Sequence, residues 1–176
     1  VYAKNQPWNY QVIDLETRFE IALDDPATGK THILAGIMDR VDKQGDNAYE
    51  IIDYKTSRKM KSQDAVDADL QLSLYHLGLM RRWPHIDPAA VSLSLYYVKH
   101  NEKLTTLRTA EQTEATKEHI RSVIRDIEQR TETNDFPPQP SALCDWCGYK
   151  SMCPAWKFLF QKQEAGIMNY EEIQKG

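Results

Sequence analysis

The sequence has few glycines, few cysteines and no long run of apolar residues. With 7 glycines in 176 residues, the collagen class is excluded, because collagen needs glycine at every third position. No segment approaches the roughly 18 consecutive apolar residues of a membrane-spanning helix, and the first residues do not resemble a secretory signal. We therefore expect a soluble, cytoplasmic protein that does not contact membranes.

Composition and charge are those of an ordinary globular domain. Hydrophobic residues make up 41% and charged residues 27% of the chain, which excludes intrinsic disorder, and the length suits one domain with its own core. The formal charge of −4 argues against a polycationic nucleic-acid coat, although a local basic patch remains compatible with it. The chain begins at Val1 rather than at methionine, so we expect a trimmed chain or a piece of a longer one.

Hydrophobic periodicity predicts the element order βββ-α-ββ-α and hence a mixed α/β or α+β fold. The predicted strands span residues 12–23, 31–42, 48–55, 91–99 and 104–108, and the predicted helices span 64–83, 111–130 and 155–164. The first three strands have short connections and suggest an antiparallel meander. Apolar residues at helical spacing mark the expected buried faces of the first two helices: Leu70, Leu74 and Leu77, then Ala115, Ile120, Val123, Ile124 and Ile127. A proline-rich connector at 134–140 divides the chain into a core, 1–131, and a cysteine-containing segment, 132–176.

Asp39, Asp53 and Lys55 form the most distinctive group of side chains. Asp53 and Lys55 are two positions apart on a predicted strand, so both should leave the same face of the sheet. Asp39 lies on the preceding strand, at a similar distance from the turn around Gly45. If these two strands pair through that turn, the two carboxylates become near neighbours.

This group has the composition of a metal-dependent hydrolytic site. Close carboxylates repel each other unless a cation or proton lies between them, and oxygen ligands favour hard ions such as Mg²⁺ or Mn²⁺. A lysine beside them can hold a phosphate oxygen and stabilise developing charge. The alternative is that all three are solvated side chains at strand ends. Asp39 and Asp53 end otherwise apolar runs, however, where a charge must be paired or functional.

Two further motifs add to this group. Gln71 and Tyr75 are four positions apart on the first predicted helix and therefore share a face, although an ordinary amphipathic helix would also contain such residues. Cys144, Cys147 and Cys153 lie within ten residues of one another. Three is an odd number, which disfavours disulfides, and the spacing is typical of a structural zinc site or an iron–sulfur cluster. Buried thiols without metal are the alternative.

Taken in order, the segments GIMDRVD, IIDYK, QLSLY and C-x2-C-x5-C resemble the PD-(D/E)XK nuclease superfamily, and specifically its RecB-like branch. The resemblance implies a restriction-endonuclease-like core, in which helices flank a central mixed sheet. It implies further that Asp39, Asp53 and the backbone carbonyl of Tyr54 bind Mg²⁺ or Mn²⁺. It also implies that Lys55 is the catalytic lysine and that Gln71 and Tyr75 are the QxxxY motif of that branch.

The same resemblance implies that Cys144, Cys147 and Cys153 ligate a [4Fe–4S] cluster whose fourth cysteine lies far upstream. Members of this branch also carry an upstream metal-binding histidine. The only histidine before Asp39 is His32, which we interpret as a surface or hairpin residue, as we interpret Glu16 and Glu20 as strand or edge residues. One missing N-terminal segment would account for both absent ligands.

A basic segment follows the predicted catalytic strand and suggests where a substrate leaves the site. It contains Arg58, Lys59 and Lys61, which could contact a phosphate backbone or form a solvated loop. Three interpretations remain open: a metal-dependent nuclease, a non-catalytic DNA-binding clamp, and a metal-binding interaction domain. The resemblance favours a deoxyribonuclease, an exonuclease on single-stranded DNA or DNA ends, working in DNA repair, recombination or CRISPR adaptation. Its partners would be DNA and a helicase or recombination or CRISPR-adaptation proteins.

Overall fold

The computed structural model describes residues 11–156 of the chain. The chain divides into two compact units, Val1–Ile124 and Arg125–Gly176. The described strands are β1 (Gln11–Asp25), β2 (Lys30–Lys43), β3 (Tyr49–Lys55), β4 (Val91–Tyr97) and β5 (Glu102–Thr106). The described α-helices are α1 (Gln63–Asp67), α2 (Leu70–Arg82) and α3 (Ala110–Thr133), and short 3₁₀ turns span Pro88–Ala90 and Ala142–Trp146.

The five strands form one mixed sheet in the order β1-β2-β3-β4-β5. The pairs β1–β2, β2–β3 and β4–β5 are antiparallel, whereas β3 and β4 are parallel. The parallel pair requires a crossover connection, and α1 and α2 lie within it. The predicted mixed sheet with flanking helices is thus confirmed, and so is the opening meander.

Phe19 belongs to the core of the first unit, and its ring packs between two glycines. A Cβ atom built on Gly36 would lie 2.6 Å from Phe19 Cζ, and one built on Gly78 would lie 2.6 Å from Phe19 Cγ and Cδ2. The ring also meets Tyr75 edge-on, with 6.1 Å between ring centroids. Because Gly36 is on β2 and Gly78 is on α2, the absence of side chains at both positions lets the helix approach the sheet closely enough to enclose the ring.

The prediction of a single helix over residues 64–83 is wrong in one respect, because the helical structure is interrupted between α1 and α2. The Asp69 carboxylate caps α2 by accepting a hydrogen bond from the Leu72 N–H (3.0 Å). The buried guanidinium of Arg108 donates to the carbonyl oxygens of Val66 (3.4 Å) and Asp69 (3.0 Å). These long-range contacts satisfy the backbone groups released by the break.

The predicted buried faces of α2 and α3 are also partly wrong. Leu70 is 42% exposed, while Leu72, Tyr75 and Leu79 lie in the core. On α3 only Ile120 is buried, and the predicted core positions Val123 and Ile127 are exposed. Periodicity identifies an apolar stripe, but the docking of a helix decides which part of the stripe meets the sheet.

Between the end of α3 and residue 156, where the described part of the chain ends, there is little regular structure. Residues 135–141 form no helix or strand, as expected for the proline-rich connector. The predicted helix over 155–164 lies almost entirely outside the described residues. Among the helices in the described part of the chain, none is long and apolar enough to cross a bilayer.

Candidate active site

Strand pairing brings the two aspartates together. In the β2–β3 ladder Arg40 is opposite Ile52 and Val41 is opposite Ile51. Extending the same register by one residue places Asp39 opposite Asp53. The Asp39 carboxylate accepts a hydrogen bond from the backbone N–H of Tyr54 (2.9 Å), which holds it at the end of β3.

The position of Asp39 depends on an irregularity in the β1–β2 hairpin. Met38 and Val41 are both fully buried in one core cluster, although residues three apart on a regular strand face opposite sides. The alternation along β2 therefore changes between them, at Asp39. On β1 the residue that faces this point is Glu16, whose φ of 49° is in the left-handed region. Met38 and Val41 can thus both stay in the core, while Asp39, which lies between them in the sequence, remains half-buried.

Glu16 lies beside the site, and reasoning from the sequence missed this. Leu15, Glu16, Asp39 and Tyr54 line one open cleft. A left-handed backbone costs a non-glycine residue roughly 1–2 kcal/mol, and no glycine marks the position in the sequence. The hydrophobic pattern offered no signal for this left-handed conformation, because Glu16 fits the alternation of the predicted strand.

Asp53, Lys55, Gln71 and Tyr75 form a closed ring of polar contacts. Lys55 Nζ lies 2.6 Å from Asp53 Oδ2 and donates to Gln71 Oε1 (2.8 Å). Gln71 Nε2 donates to the Tyr75 hydroxyl (2.7 Å). The Tyr75 hydroxyl completes the ring with a longer contact to Asp53 Oδ1 (3.4 Å). Asp53 and Lys55 therefore do leave the same face of β3, and α2 lies over that face.

The helix α2 holds Gln71 and Tyr75 in place through its N-terminus. Asp69, the residue that caps this helix, forms an ion pair with Lys61. Burial raises the pKa of the Asp69 carboxyl, but the hydrogen bonds from Lys61 and from the Leu72 N–H outweigh burial and leave the pKa lowered. The lowered pKa favours the ionised form of Asp69, which is the form that pairs with Lys61.

Burial dominates the electrostatics of the site. The pKa of Asp53 is raised, first by burial and further by the negative charge of Asp39, while Lys55 and Tyr75 act in the opposite direction. Burial together with the charge of Asp53 raises the pKa of Tyr75 to about 12. Tyr75 therefore remains a neutral hydrogen-bond donor at physiological pH.

The donor atoms at this site are compatible with Mg²⁺ or Mn²⁺. Asp53 is 3% exposed, and its Oδ2 receives no hydrogen bond of good geometry although Lys55 is close. No set of three or more His, Cys, Asp or Glu side chains within residues 11–156 is arranged as a metal site. Mg²⁺ usually keeps several waters and takes only one or two carboxylates, so two carboxylates such as those of Asp39 and Asp53 would be enough to hold it.

The predicted basic segment is only partly available for binding. Arg58 and Lys59 are exposed on the loop that follows β3. The ammonium of Lys61 is in the ion pair with Asp69, and that hydrogen bond raises the pKa of Lys61. The charge of Lys61 is therefore largely compensated inside the protein.

The three cysteines line a single cavity in the second unit. Cys144, Cys147 and Cys153 share this cavity with Lys150 and Trp156, among other residues. All three are free thiols. The turn Ala142–Trp146 begins at Ser141, whose backbone N–H donates to Cys144 Sγ (3.3 Å). The spacing of the three cysteines thus does bring them to one place.

Comparison with known proteins identifies the family. A sequence profile of the PD-(D/E)XK nuclease superfamily matches residues 2–154. The solved structure titled "Crystal structure of SSO0001" matches with 17% sequence identity and a TM-score of 0.48, and the match covers 87% of this chain and 64% of that chain. The chain thus spans less than two thirds of that protein's length. No curated protein matches the chain. Because the family profile covers most of the sequence, the chain belongs to the PD-(D/E)XK nuclease superfamily.

Proposed function

We propose that this protein is a Mg²⁺- or Mn²⁺-dependent deoxyribonuclease that acts on single-stranded DNA or DNA ends. The observation that carries the proposal is the ring formed by Asp53, Lys55, Gln71 and Tyr75. Asp39 lies beside this ring, where its carboxylate accepts a hydrogen bond from the Tyr54 N–H. Two carboxylates, a partly exposed ammonium group and two hydrogen-bonding side chains converge at one edge of the sheet. Superfamily membership supports the choice of a nuclease over a metal-binding interaction domain.

Each side chain has a role that follows from its position. Asp39 and Asp53 would hold the cation, with the carbonyl of Tyr54 as a further ligand. The cation supplies positive charge that neutralises phosphate and acidifies water. Lys55, whose side chain is 28% exposed, can turn its ammonium from Asp53 toward a phosphate oxygen and stabilise the charge that develops there.

Gln71 and Tyr75 position this lysine and the buried aspartate. Gln71 accepts from Lys55 and donates to Tyr75, so it fixes the distance between the ammonium group and the helix. The phenol of Tyr75 donates toward Asp53 and thereby stabilises its ionised form. Both roles concern placement, and neither residue exchanges a proton with the substrate.

Replacing Asp53 by asparagine should abolish cleavage without unfolding the protein. Asparagine keeps the size of the side chain but removes the charge that holds the cation. The measurement is cleavage of end-labelled single-stranded and duplex DNA with Mn²⁺, alongside thermal unfolding and binding of labelled DNA. Circular single-stranded DNA as a second substrate separates endonuclease from exonuclease action. Asp46→Asn, a matched change in the exposed loop between β2 and β3, should cleave normally.

The outcomes separate the possible functions. If the unaltered chain cleaves DNA and the Asp53→Asn variant does not, the result supports the nuclease. DNA binding by the unaltered chain without cleavage in either metal would indicate the non-catalytic clamp. Equal cleavage by the parent and a folded Asp53→Asn variant would remove Asp53 from the mechanism.

We further propose that the chain belongs to the RecB-like branch and that its cysteines ligate a [4Fe–4S] cluster. The order of the motifs and the shared cavity of Cys144, Cys147 and Cys153 support this assignment. Such a cluster takes four ligands, and the sequence contains 3 cysteines. The fourth ligand is therefore a different residue type or belongs to sequence beyond these residues. By the same resemblance, the protein would work in DNA repair, recombination or CRISPR adaptation with a helicase or other proteins of these processes.

Protein purified without oxygen should contain iron rather than zinc and show a broad visible absorption band. Changing Cys144, Cys147 or Cys153 to serine should remove the band and lower the unfolding temperature before it affects cleavage, because the cysteines lie in a different unit from Asp53 and Lys55. Ser151→Ala, an exposed change beside the cysteines, is the control and should keep the band. Stoichiometric zinc in such a preparation would refute the cluster and leave the nuclease proposal standing.

A further inference from the structure

The turn between β4 and β5 is joined to the loop that leaves the candidate active site. Lys55 and Tyr97 are register partners at the ends of the parallel strands β3 and β4. Because these strands are parallel, the loop after β3 and the turn after β4 leave the sheet at the same edge. Three hydrogen bonds connect them: Val98 N–H to the Lys55 carbonyl (3.0 Å), Lys61 N–H to the Tyr97 hydroxyl (3.0 Å), and the His100 Nε2 contact with the Arg58 carbonyl (3.0 Å).

Two of the cations in this region are already compensated. The Lys61 ammonium pairs with Asp69, and the Lys103 ammonium lies 2.7 Å from Glu50. Both carboxylates are buried, so each pair holds its lysine toward the protein. Neither lysine offers its full charge to a ligand.

Three other cations at the same edge have no such partner in the part of the chain that the structure describes. Arg58, Lys59 and Lys99 are exposed, and none of them has an ion pair within residues 11–156. Lys99 precedes His100, which contacts the backbone of Arg58. The acidic residue closest to the turn in sequence is Glu102, at the start of β5. Uncompensated positive charge therefore extends from the loop after Lys55 onto the β4–β5 turn.

We propose that the β4–β5 turn, through Lys99, is a second phosphate-binding element that contacts the nucleic-acid strand beyond the phosphate held at Lys55. Arg58 and Lys59 form the first element, and the two elements act as one surface because one backbone and two side-chain hydrogen bonds join them. A strand of regularly spaced negative charges is the ligand that such a surface fits. The proposal rests on the proposed nuclease function and differs from the sequence-based prediction, because it adds Lys99 and assigns little phosphate binding to Lys61.

The test measures DNA binding as a function of salt. Binding of a fluorescent single-stranded oligonucleotide is followed by anisotropy at several NaCl concentrations, with Asp53→Asn as the parent so that the DNA stays intact. For single strands, each lost phosphate contact reduces the slope of log affinity against log salt by about 0.7. We expect that reduction for Lys99→Ala and for Lys59→Ala. The loss of affinity should shrink as salt rises.

Two further variants make the test specific. Lys43→Ala removes a lysine at the opposite end of the sheet, where Lys43 pairs with Tyr49 at the start of β3, and should leave the slope unchanged. Lys61→Ala should change the slope less than Lys99→Ala, because its charge is paired with Asp69. Thermal unfolding checks that each variant remains folded.

The outcomes distinguish this proposal from the nuclease proposal. If the unaltered protein cleaves DNA and Lys99→Ala keeps the parent slope, the turn is not a phosphate contact and the nuclease proposal stands. If Lys61→Ala changes the slope as much as Lys99→Ala does, the division into compensated and available lysines is wrong. If the parent binds no DNA and the unaltered protein cleaves none, both proposals fail.

Discussion

Lys55→Ala should reduce DNA cleavage by roughly 10²- to 10³-fold, the loss typical of removing one group that stabilises transition-state charge. The lysine contributes charge rather than packing, since its partly exposed ammonium contacts only polar groups, Asp53 and Gln71, in the described ring. The variant should therefore remain folded. Gln71→Ala should lose less activity, because Gln71 positions the lysine and carries no charge.

The same variant should change the pH dependence of stability. The pKa of Asp53 is raised above its ordinary value, mainly by burial, so ionisation of Asp53 costs stability as the pH rises through that pKa. Lys55 opposes this shift, and its removal should raise the pKa further. In metal-free protein, Lys55→Ala should thus lose more stability than the parent between acidic and neutral pH, whereas Asp53→Asn should lose less.

Steady-state cleavage and thermal unfolding at several pH values with a chelator would test both expectations. Lys43→Ala is the matched control for the loss of a lysine remote from the ring. A folded Lys55→Ala protein that cleaves at the parental rate would contradict the mechanism. A loss at Gln71 equal to or larger than that at Lys55 would mean that the two roles are assigned in the wrong order.

Phe19→Ala should lower the free energy of unfolding by about 3–5 kcal/mol, as expected when a buried phenylalanine is truncated. Its ring fills the space between Gly36 and Gly78, so its loss leaves a cavity where α2 meets the sheet. The ring also contacts Tyr75, which is part of the polar ring at the site. Urea denaturation measures the change, and the m value checks that unfolding remains two-state.

Gly78→Ala provides a sharper test, because its effect should change sign with the residue at position 19. In the parent the new methyl group would overlap the Phe19 ring, and overpacking of this kind costs about 1–3 kcal/mol. Alanine gains roughly 1 kcal/mol over glycine inside a helix. Because the added Cβ would lie only 2.6 Å from Phe19 Cγ and Cδ2, we expect a cost in the upper part of that range, which exceeds the gain. In the Phe19→Ala background the space is free, so Gly78→Ala should be neutral or stabilising.

Gly45 offers a matched control for the change at Gly78. Gly45→Ala, at a loop position where a Cβ would meet no atom within 4 Å, should change stability by less than about 0.5 kcal/mol. If Gly78→Ala destabilised both backgrounds equally, the Phe19 ring would not be what excludes a side chain at position 78.

Local sequence spacing accounts for much of the candidate site. The two-residue separation of Asp53 and Lys55 determines that both side chains leave one face of a strand, and the four-residue separation of Gln71 and Tyr75 determines that they share a helix face. The short connection around Gly45 is enough to predict that β2 and β3 pair. These relations depend only on the geometry of a single element or hairpin, so they can be read without the fold.

Other features depend on residues that are distant in sequence. The break between α1 and α2 depends on Arg108, more than thirty positions along the chain from Asp69. Lys61 pairs with Asp69 and Lys103 pairs with Glu50. In the sequence these paired lysines look no different from the lysines that are available for binding. The left-handed Glu16 and the change of alternation at Asp39 likewise lack a sequence signal.

The sequence by itself determined the antiparallel meander, the charged side chains on each element, and the shared faces of Asp53 with Lys55 and of Gln71 with Tyr75. Only the tertiary structure decided that α2 closes the ring over Asp53, that Leu70 faces solvent, and that the β4–β5 turn lies beside the loop after Lys55. The physical reason is that periodicity and short loops specify local geometry. The approach of α2 to the sheet depends on Phe19 between Gly36 and Gly78, and the shared edge depends on the parallel pairing of β3 with β4. Both are contacts between residues far apart in the chain.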